Sequence, residues 1–266
     1  MRSRQSLHPV DPRNPVIPSS LLKKRTFQIS LMLLVAIATY NEIENLPTLV
    51  AAIRERLPDA DLLVVDDNSP DGTGRWCDEE AARSPWFSVI HREGKLGLGS
   101  ASWTAMQAAI ERGYEWLITL DADWSHPPEA LPRLVAASAN ADVVIGSRYC
   151  PGGEIHGWPP SRRVVSKMMN AATRLALGIP VRDASTACRL YRVAKLAELD
   201  FNDLHATGYA YLEEILWQLH RSGARFAEIP IAFTDRRAGA SKVGVGEAVG
   251  KAKVLARLAG RRLSGK

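Results

Sequence analysis

Cysteine is scarce in this 266-residue chain. Cys77, Cys150 and Cys188 stand far apart and form neither a disulfide framework nor a Cys-x-x-Cys ligand pair. They read as reduced thiols of an intracellular protein. Long apolar runs are missing too. The longest, 31–38, falls far short of the roughly 20 residues that a bilayer-spanning helix requires. It also lies too deep for a secretory signal, behind a polar leader that carries Pro9, Pro12, Pro15 and Pro18. No GxxxxGK[ST] loop and no GxSxG elbow occurs, and the glycines of Gly94-Lys95-Leu96-Gly97-Leu98-Gly99 lack the spacing and position of a GxGxxG turn. A P-loop, a dinucleotide fingerprint and a serine-hydrolase nucleophile are therefore excluded. There is also no internal repeat.

The charge is unevenly placed. The total is +5, yet residues 31–250 hold 22 bases against 28 acids. Residues 1–30 hold six bases and one acid, and residues 251–266 hold six bases and no acid. Basic ends on an acidic body point away from nucleic acid, which would call for a basic domain. They suit either solvated tails or contact with an anionic surface such as a membrane leaflet. The domain reading that follows is a disordered basic leader at 1–30, a catalytic domain at 31–243, and a basic helix or tail at 244–266.

Apolar runs at 31–38, 62–65, 87–91, 116–120 and 142–146 read as strands, and 45–57, 75–82, 99–112 and 129–139 as helices. Strand and helix alternate through short links, so an α/β fold with a mainly parallel sheet covered by helices is expected. After Ser147 the alternation stops. The stretch 149–160 is rich in Gly and Pro. The segment 161–177 carries Val165, Met168, Ala172 and Leu175 at helical spacing, with Arg162, Arg163, Lys167 and Arg174 mostly off that stripe. It is either a basic amphipathic helix for a membrane surface or an ordinary helix packed on the core. Residues 186–193, 205–220 and 226–234 add a strand, a helix and a last strand.

Asp121-Ala122-Asp123 is the most informative feature. It follows the apolar run 116–120, where the strand ends. Side chains at i and i+2 of a strand share one face, and two close carboxylates repel unless a cation or proton intervenes. A divalent cation bridging to a diphosphate fits this pair. Other strand ends carry Tyr40-Asn41-Glu42 and Val65-Asp66-Asp67, where acids accept hydrogen bonds from ribose hydroxyls in nucleotide folds. For each there is a local alternative: helix capping by Asn41 or Asn45, and turn chemistry in Asp66-Asp67-Asn68-Ser69-Pro70-Asp71-Gly72. Arg148, and Arg236 and Lys242 in a Gly- and Ser-containing loop, supply cations suited to phosphate.

Taken in order, Tyr40-Asn41-Glu42, 65–73, Lys95-Leu96-Gly97-Leu98-Gly99, Asp121-Ala122-Asp123, Gly146-Ser147-Arg148-Tyr149 and Asp235-Arg236 with Gly239, Ser241 and Lys242 resemble a glycosyltransferase family 2 enzyme of the dolichyl-phosphate (polyprenol-phosphate) mannose synthase type. The likeness covers about residues 33–243. It implies a GT-A fold, GDP-mannose as donor, a divalent Mg or Mn ion, and a polyprenyl phosphate acceptor met at the cytoplasmic face of a membrane by a peripheral enzyme. Carried over by position, Tyr40, Glu42, Val65 and Asp67 would hold the nucleoside. Asp121, Ala122 and Asp123 would bind the sugar diphosphate, with both acids on the metal. Arg148, Arg236 and Lys242 would bind phosphates, and Asp123, Arg236 and Lys242 form the catalytic set. Glu214 falls where an acid follows the family's Gly-Tyr signature. This chain departs from the pattern at Ala38, where Pro is usual, at Asn68, where Gly is common, and at Trp124-Ser125. UDP-glucose as donor, or a non-catalytic sugar-nucleotide binder, are the competing readings.

Overall fold

The computed structural model describes residues 32–206, 208–235 and 245–264. The leader at 1–30 therefore lies outside the described residues. The elements in chain order are β1 (Leu33–Thr39), α1 (Leu46–Arg56), β2 (Asp61–Asp66), α2 (Thr73–Arg83), β3 (Phe87–His91), α3 (Leu98–Glu111), β4 (Trp116–Asp121), α4 (Leu131–Ala137), β5 (Val143–Ser147), β6 (Glu154–His156), α5 (Pro160–Leu177), β7 (Arg189–Arg192), α6 (Val193–Leu196), α7 (Tyr211–Arg221), β8 (Phe226–Pro230), β9 (Ala232–Thr234) and α8 (Val245–Leu263).

The strands form a seven-stranded sheet in the order β3-β2-β1-β4-β7-β5-β8. All pairs are parallel except those of β7, which runs antiparallel to both β4 and β5. The apolar runs are continuous because helices cover both faces. Along β1, Leu34 and Ala36 face one core layer with α3 and α7, while Leu33, Val35 and Ile37 face the other with α1 and α4. The mainly parallel α/β sheet expected from the alternation is present, with one strand of opposite direction set into it.

Three local differences follow the change of pattern after Ser147. The Gly- and Pro-rich stretch holds β6, which pairs in parallel with β9 as a separate two-stranded sheet. Residues 226–234 are therefore not one strand: β8 stays in the main sheet and β9 leaves it after Pro230. The helix expected over 205–220 begins at Tyr211.

α5 carries its apolar stripe outward. Val165, Met168, Ala172 and Leu175 are exposed, and the side chains turned to the protein are Asn170, Thr173 and Leu177. Asn170 explains the inversion, since its Oδ1 accepts the Ala184 N–H at 2.8 Å and its Nδ2 donates to Ser185 Oγ at 3.0 Å. Among the described residues, no helix is long and apolar enough to cross a membrane.

Candidate active site

The C-terminal ends of β1, β2 and β4 lie side by side. Register pairs Thr39 with Asp66 and Ala38 with Asp121. That alignment gathers Tyr40, Asp66, Asp67 and Asp121 along the sheet edge where open α/β folds bind ligands. Each of these strands exits through a residue in the left-handed region: Asn41 at φ 59°, Asn68 at φ 56° and Trp124 at φ 62°. Non-glycine residues there cost free energy and cluster at functional sites. Asn tolerates this region, which accounts for Asn68 standing where the resemblance expects Gly.

The two acids of Asp121-Ala122-Asp123 do not share a strand face as the spacing suggested. β4 ends at Asp121, and the chain has already turned at Asp123. The Asp121 carboxylate is partly open, 31% exposed, while Asp123 is buried. Asp123 Oδ1 accepts the Ser125 N–H at 3.1 Å. His126 lies beneath them, with Nδ1 3.8 Å from Asp121 Oδ2 and Nε2 3.2 Å from Thr186 Oγ1. Burial pulls the imidazole down to about 4, against the opposing field of Asp123. Among the described residues, no group of three or more His, Cys, Asp or Glu side chains converges as a metal cage. A pair of carboxylates at an open edge suits Mg or Mn instead, which takes one or two carboxylates and completes its shell with substrate phosphate oxygens and water. The donor set present therefore fits a divalent cation held jointly with a diphosphate.

Asp67 is committed within the protein. Its Oδ2 accepts the N–H groups of Leu96 and Gly97 at 3.1 and 3.2 Å, and its Oδ1 lies 2.9 Å from Arg92 Nη1. Its visible role is to fasten the loop carrying Lys95-Leu96-Gly97 to the end of β2, rather than to present a carboxylate to a ribose. That loop in turn sets Lys95 Nζ 4.3 Å over the Tyr40 ring. Glu42 Oε2 accepts from Asn45 Nδ2 at 3.0 Å. Asn45 makes no side-chain cap at the start of α1, so the capping alternative fails there. The Val65 and Ala122 side chains lie in the two core layers, which leaves only main chain for a donor. Asp71 does act as a turn residue. Hydrogen bonds from Thr73 and from the Ile43 N–H outweigh its partial burial and lower its pKa.

Arg148 differs most from expectation. It is buried and paired with Asp183, Nε to Oδ2 at 2.8 Å and Nη2 to Oδ1 at 2.7 Å, and its own N–H also donates to Asp183. Burial opposes both charges. The mutual pairing overrides it, raising the arginine and lowering the aspartate. Tyr149, Trp158 and Phe233 surround the guanidinium with centroids 5.2–5.5 Å away. The Arg148 guanidinium is engaged inside the protein by Asp183 and Ser185. Arg236 and Lys242 lie outside the described residues.

Glu214 is buried at the start of α7. Its Oε2 accepts the N–H groups of His205 and Ala206, and its Oε1 pairs with Arg257 of α8. Glu213, also buried, pairs with Lys251. Arg189 in β7 is buried as well, donating to the Ala184, Leu212 and Tyr191 oxygens and so joining the 183–188 segment to α7. Asp183, Arg92, Arg189 and Glu213 were not singled out in the sequence. The charge partners of Asp183, Arg92 and Glu213 are distant in the chain, and Arg189 joins segments that no local pattern links.

Residues 34–200 match the model of Glycosyl transferase family 2. The chain is 44% identical over 219 residues to an undecaprenyl-phosphate mannosyltransferase of Micrococcus luteus, covering 81% of this chain and 90% of that one. It is 43% identical over 212 residues to a polyprenol monophosphomannose synthase of Mycolicibacterium smegmatis, covering 79% and 80%. The fold matches glucosyl-3-phosphoglycerate synthase of Mycobacterium tuberculosis, solved with Mn2+, UDP-glucose and phosphoglyceric acid. The TM-score is 0.63 at 18% identity, covering 86% of this chain and 80% of that one.

Proposed function

From a chain that belongs to glycosyl transferase family 2, we infer an enzyme that moves mannose from GDP-mannose to a polyprenyl phosphate. The protein is a glycosyltransferase. The observation that carries the acceptor and the sugar is the 44% identity along nine-tenths of an undecaprenyl-phosphate mannosyltransferase. The partly open Asp121 and the buried Asp123, side by side at the sheet edge, agree with it as a seat for the donor's diphosphate.

The acceptor phosphate is anionic near neutral pH, so the reaction calls for positioning rather than a strong general base. A divalent ion held by Asp121 and Asp123 would stabilise the negative charge that gathers on the departing diphosphate. Tyr40, with Lys95 over its ring, borders the place for the nucleoside. Asp67 acts by holding the 95–97 loop there. Arg236 and Lys242 are proposed to bind phosphate. In-line attack on the anomeric carbon inverts its configuration.

The exposed face of α5 suits the acceptor's location. Five of the eight exposed large hydrophobic side chains among the described residues are on this helix: Val164, Val165, Met168, Met169 and Leu175. Lys167, Arg163 and Arg174 flank them. An anionic leaflet on the cytoplasmic side matches both the apolar face and its basic border.

The test is turnover. Purified protein, a short polyprenyl phosphate in detergent and labelled GDP-mannose, GDP-glucose or UDP-glucose are compared with and without Mg or Mn. Transfer from GDP-mannose alone is the expected result. Preferred use of UDP-glucose would replace the donor assignment, and no transfer from any donor would leave a binding protein.

A further inference from the structure

At the end of the molecule away from the acid pair, α5, α7 and α8 enclose a groove of about 310 Å3. Its floor is Trp217 and Leu177, and its walls carry His220, Arg221, Arg261 and Arg262. Arg221 and Arg261 both lie over the Trp217 ring, at 5.0 and 5.3 Å from its centroid. Arg261 Nη1 also pairs with Asp203 at 2.7 Å, which fixes the guanidinium against the indole. Arg262 Nη1 donates to the Leu175 and Ala176 carbonyls at the end of α5. Gly178 allows this approach. It holds φ 71°, and a Cβ there would come within 2.6 Å of the Arg262 guanidinium carbon.

Three arginines and a histidine thus line a concave aromatic floor, and Asp203 pairs with one of them, Arg261. Arginine forks suit phosphate oxygens. Apolar side chains adjoin Arg262: Leu175, whose carbonyl it holds, is 75% exposed, and Leu263, the next residue, is 89% exposed. A cationic pocket bordered by apolar side chains matches a ligand with an anionic head and an apolar tail.

This is not the place of the reacting phosphate. Tyr211, at one end of α7, lines the small cavity against Asp121. Arg221 is at the other end, and ten residues of helix at 1.5 Å each put roughly 15 Å between them.

We propose that the groove between the ends of α5, α7 and α8 binds the phosphate of an anionic membrane lipid, as a second lipid site that orients the enzyme on the leaflet. The proposal rests on the membrane-facing part of the functional reading and is independent of the donor. Its ligand chemistry is a phosphate group carried by a lipid and not a soluble phosphate.

Co-sedimentation of the full chain with phosphatidylcholine vesicles, with and without phosphatidylglycerol, tests it. Arg221→Gln removes a groove cation, and Lys167→Gln removes a cation from the flank of α5; both side chains are exposed. Arg221→Gln should weaken binding to the anionic vesicles by well over the about fivefold that any one base near such a surface contributes. Lys167→Gln should weaken it clearly less, and Arg221→Lys should recover much of the loss. Excess inorganic phosphate should not displace the wild-type protein. Equal losses for Arg221→Gln and Lys167→Gln would reduce the groove to diffuse charge, and displacement by inorganic phosphate would assign it to a soluble anion; either overturns the proposal. Transfer to a detergent-solubilised acceptor is followed in parallel, and Arg221→Gln should keep the wild-type rate. A wild-type protein without turnover would sink the proposed reaction and leave the groove comparison intact.

Discussion

Asp121 and Asp123 are two positions apart and differently placed, and the difference gives them separable roles. Asp121 is partly open at the strand end, while Asp123 is buried and also shapes the turn through Ser125. Asp121→Asn and Asp123→Asn keep the side-chain volume. Each should lower kcat by about a thousandfold, since a cation at a leaving diphosphate supplies several kcal/mol. Thermal unfolding should change little for Asp121→Asn, and added Mg or Mn should no longer protect either variant against heat. Retained metal-dependent turnover in both would refute the assignment. Arg148 behaves in the opposite way. Arg148→Ala leaves Asp183 buried without its partner and should cost about 3–5 kcal/mol of stability. Arg148→Met with Asp183→Leu should regain much of it, a recovery that a phosphate-binding arginine does not explain. Calorimetry of the single and double variants checks this. The sequence made the acid pair readable because two carboxylates directly follow an apolar strand. It made Arg148 readable as a cation at a strand end, but Asp183, 35 residues on, carries no local mark of being its partner.

At the scale of elements, the parallel half of the sheet was legible from β1 to β5, because each strand is a continuous apolar run followed by a helix. The position of β7 was not. Its residues, Arg189-Leu190-Tyr191-Arg192, alternate weakly. Nothing local says that this strand enters between β4 and β5 in the opposite direction. The insertion is secured instead by charge. Asp142, at the head of β5, accepts from Arg225 before β8 and from Arg192 at the end of β7. The hydrogen bonds from Arg225, then those from Arg192, hold the Asp142 carboxyl far below the usual carboxylate range despite some desolvation. A depressed carboxylate stabilises the fold fully above its unfolded pKa, near 3.9, and this contribution is lost as pH falls through lower values. Stability should therefore drop below about pH 4, where Asp142 takes up a proton in the unfolded chain first. Asp142→Asn should flatten that acid limb and cost about 1–2 kcal/mol at neutral pH, with the larger value discounted because Arg225 is largely exposed. Urea titrations at neutral and acid pH measure both quantities. An unchanged acid limb in the variant would show that other carboxylates carry the pH dependence.

For the whole molecule, the uneven charge of the sequence resolves into two uses. The basic C-terminal segment, open in the sequence to solvent or to an anionic surface, is largely engaged within the protein: Lys251, Arg257 and Arg261 pair with Glu213, Glu214 and Asp203, and Arg262 holds the end of α5. α8 is therefore tied to the body of the protein by its own bases, and the apolar surface left for a leaflet is the outer face of α5, next to the groove proposed for a lipid phosphate. The spacing of Val165, Met168 and Leu175 was visible in the sequence, but a stripe has no label for inside or outside. Asn170 and Thr173 on the opposite side decide it, because their polar groups are the ones that find partners or burial in the body. Two forces should then hold the protein on a vesicle. Attraction of Lys167, Arg163 and Arg174 to anionic lipid is screened within about 8–10 Å by physiological salt, whereas apolar insertion is not. Burying a Val or Met side chain contributes about 1.5–3 kcal/mol. Val165→Ser with Met168→Ser should therefore remove the part of vesicle binding that persists at high salt, by roughly a hundredfold in partition, taking about 1.4 kcal/mol per tenfold. The low-salt part should remain, as should turnover on a detergent-solubilised acceptor, since neither side chain touches the acid edge. Co-sedimentation across a salt series reads both parts at once. Salt-resistant binding that survives the double substitution would mean that α5 is not the inserted face, and that its apolar stripe meets something other than lipid.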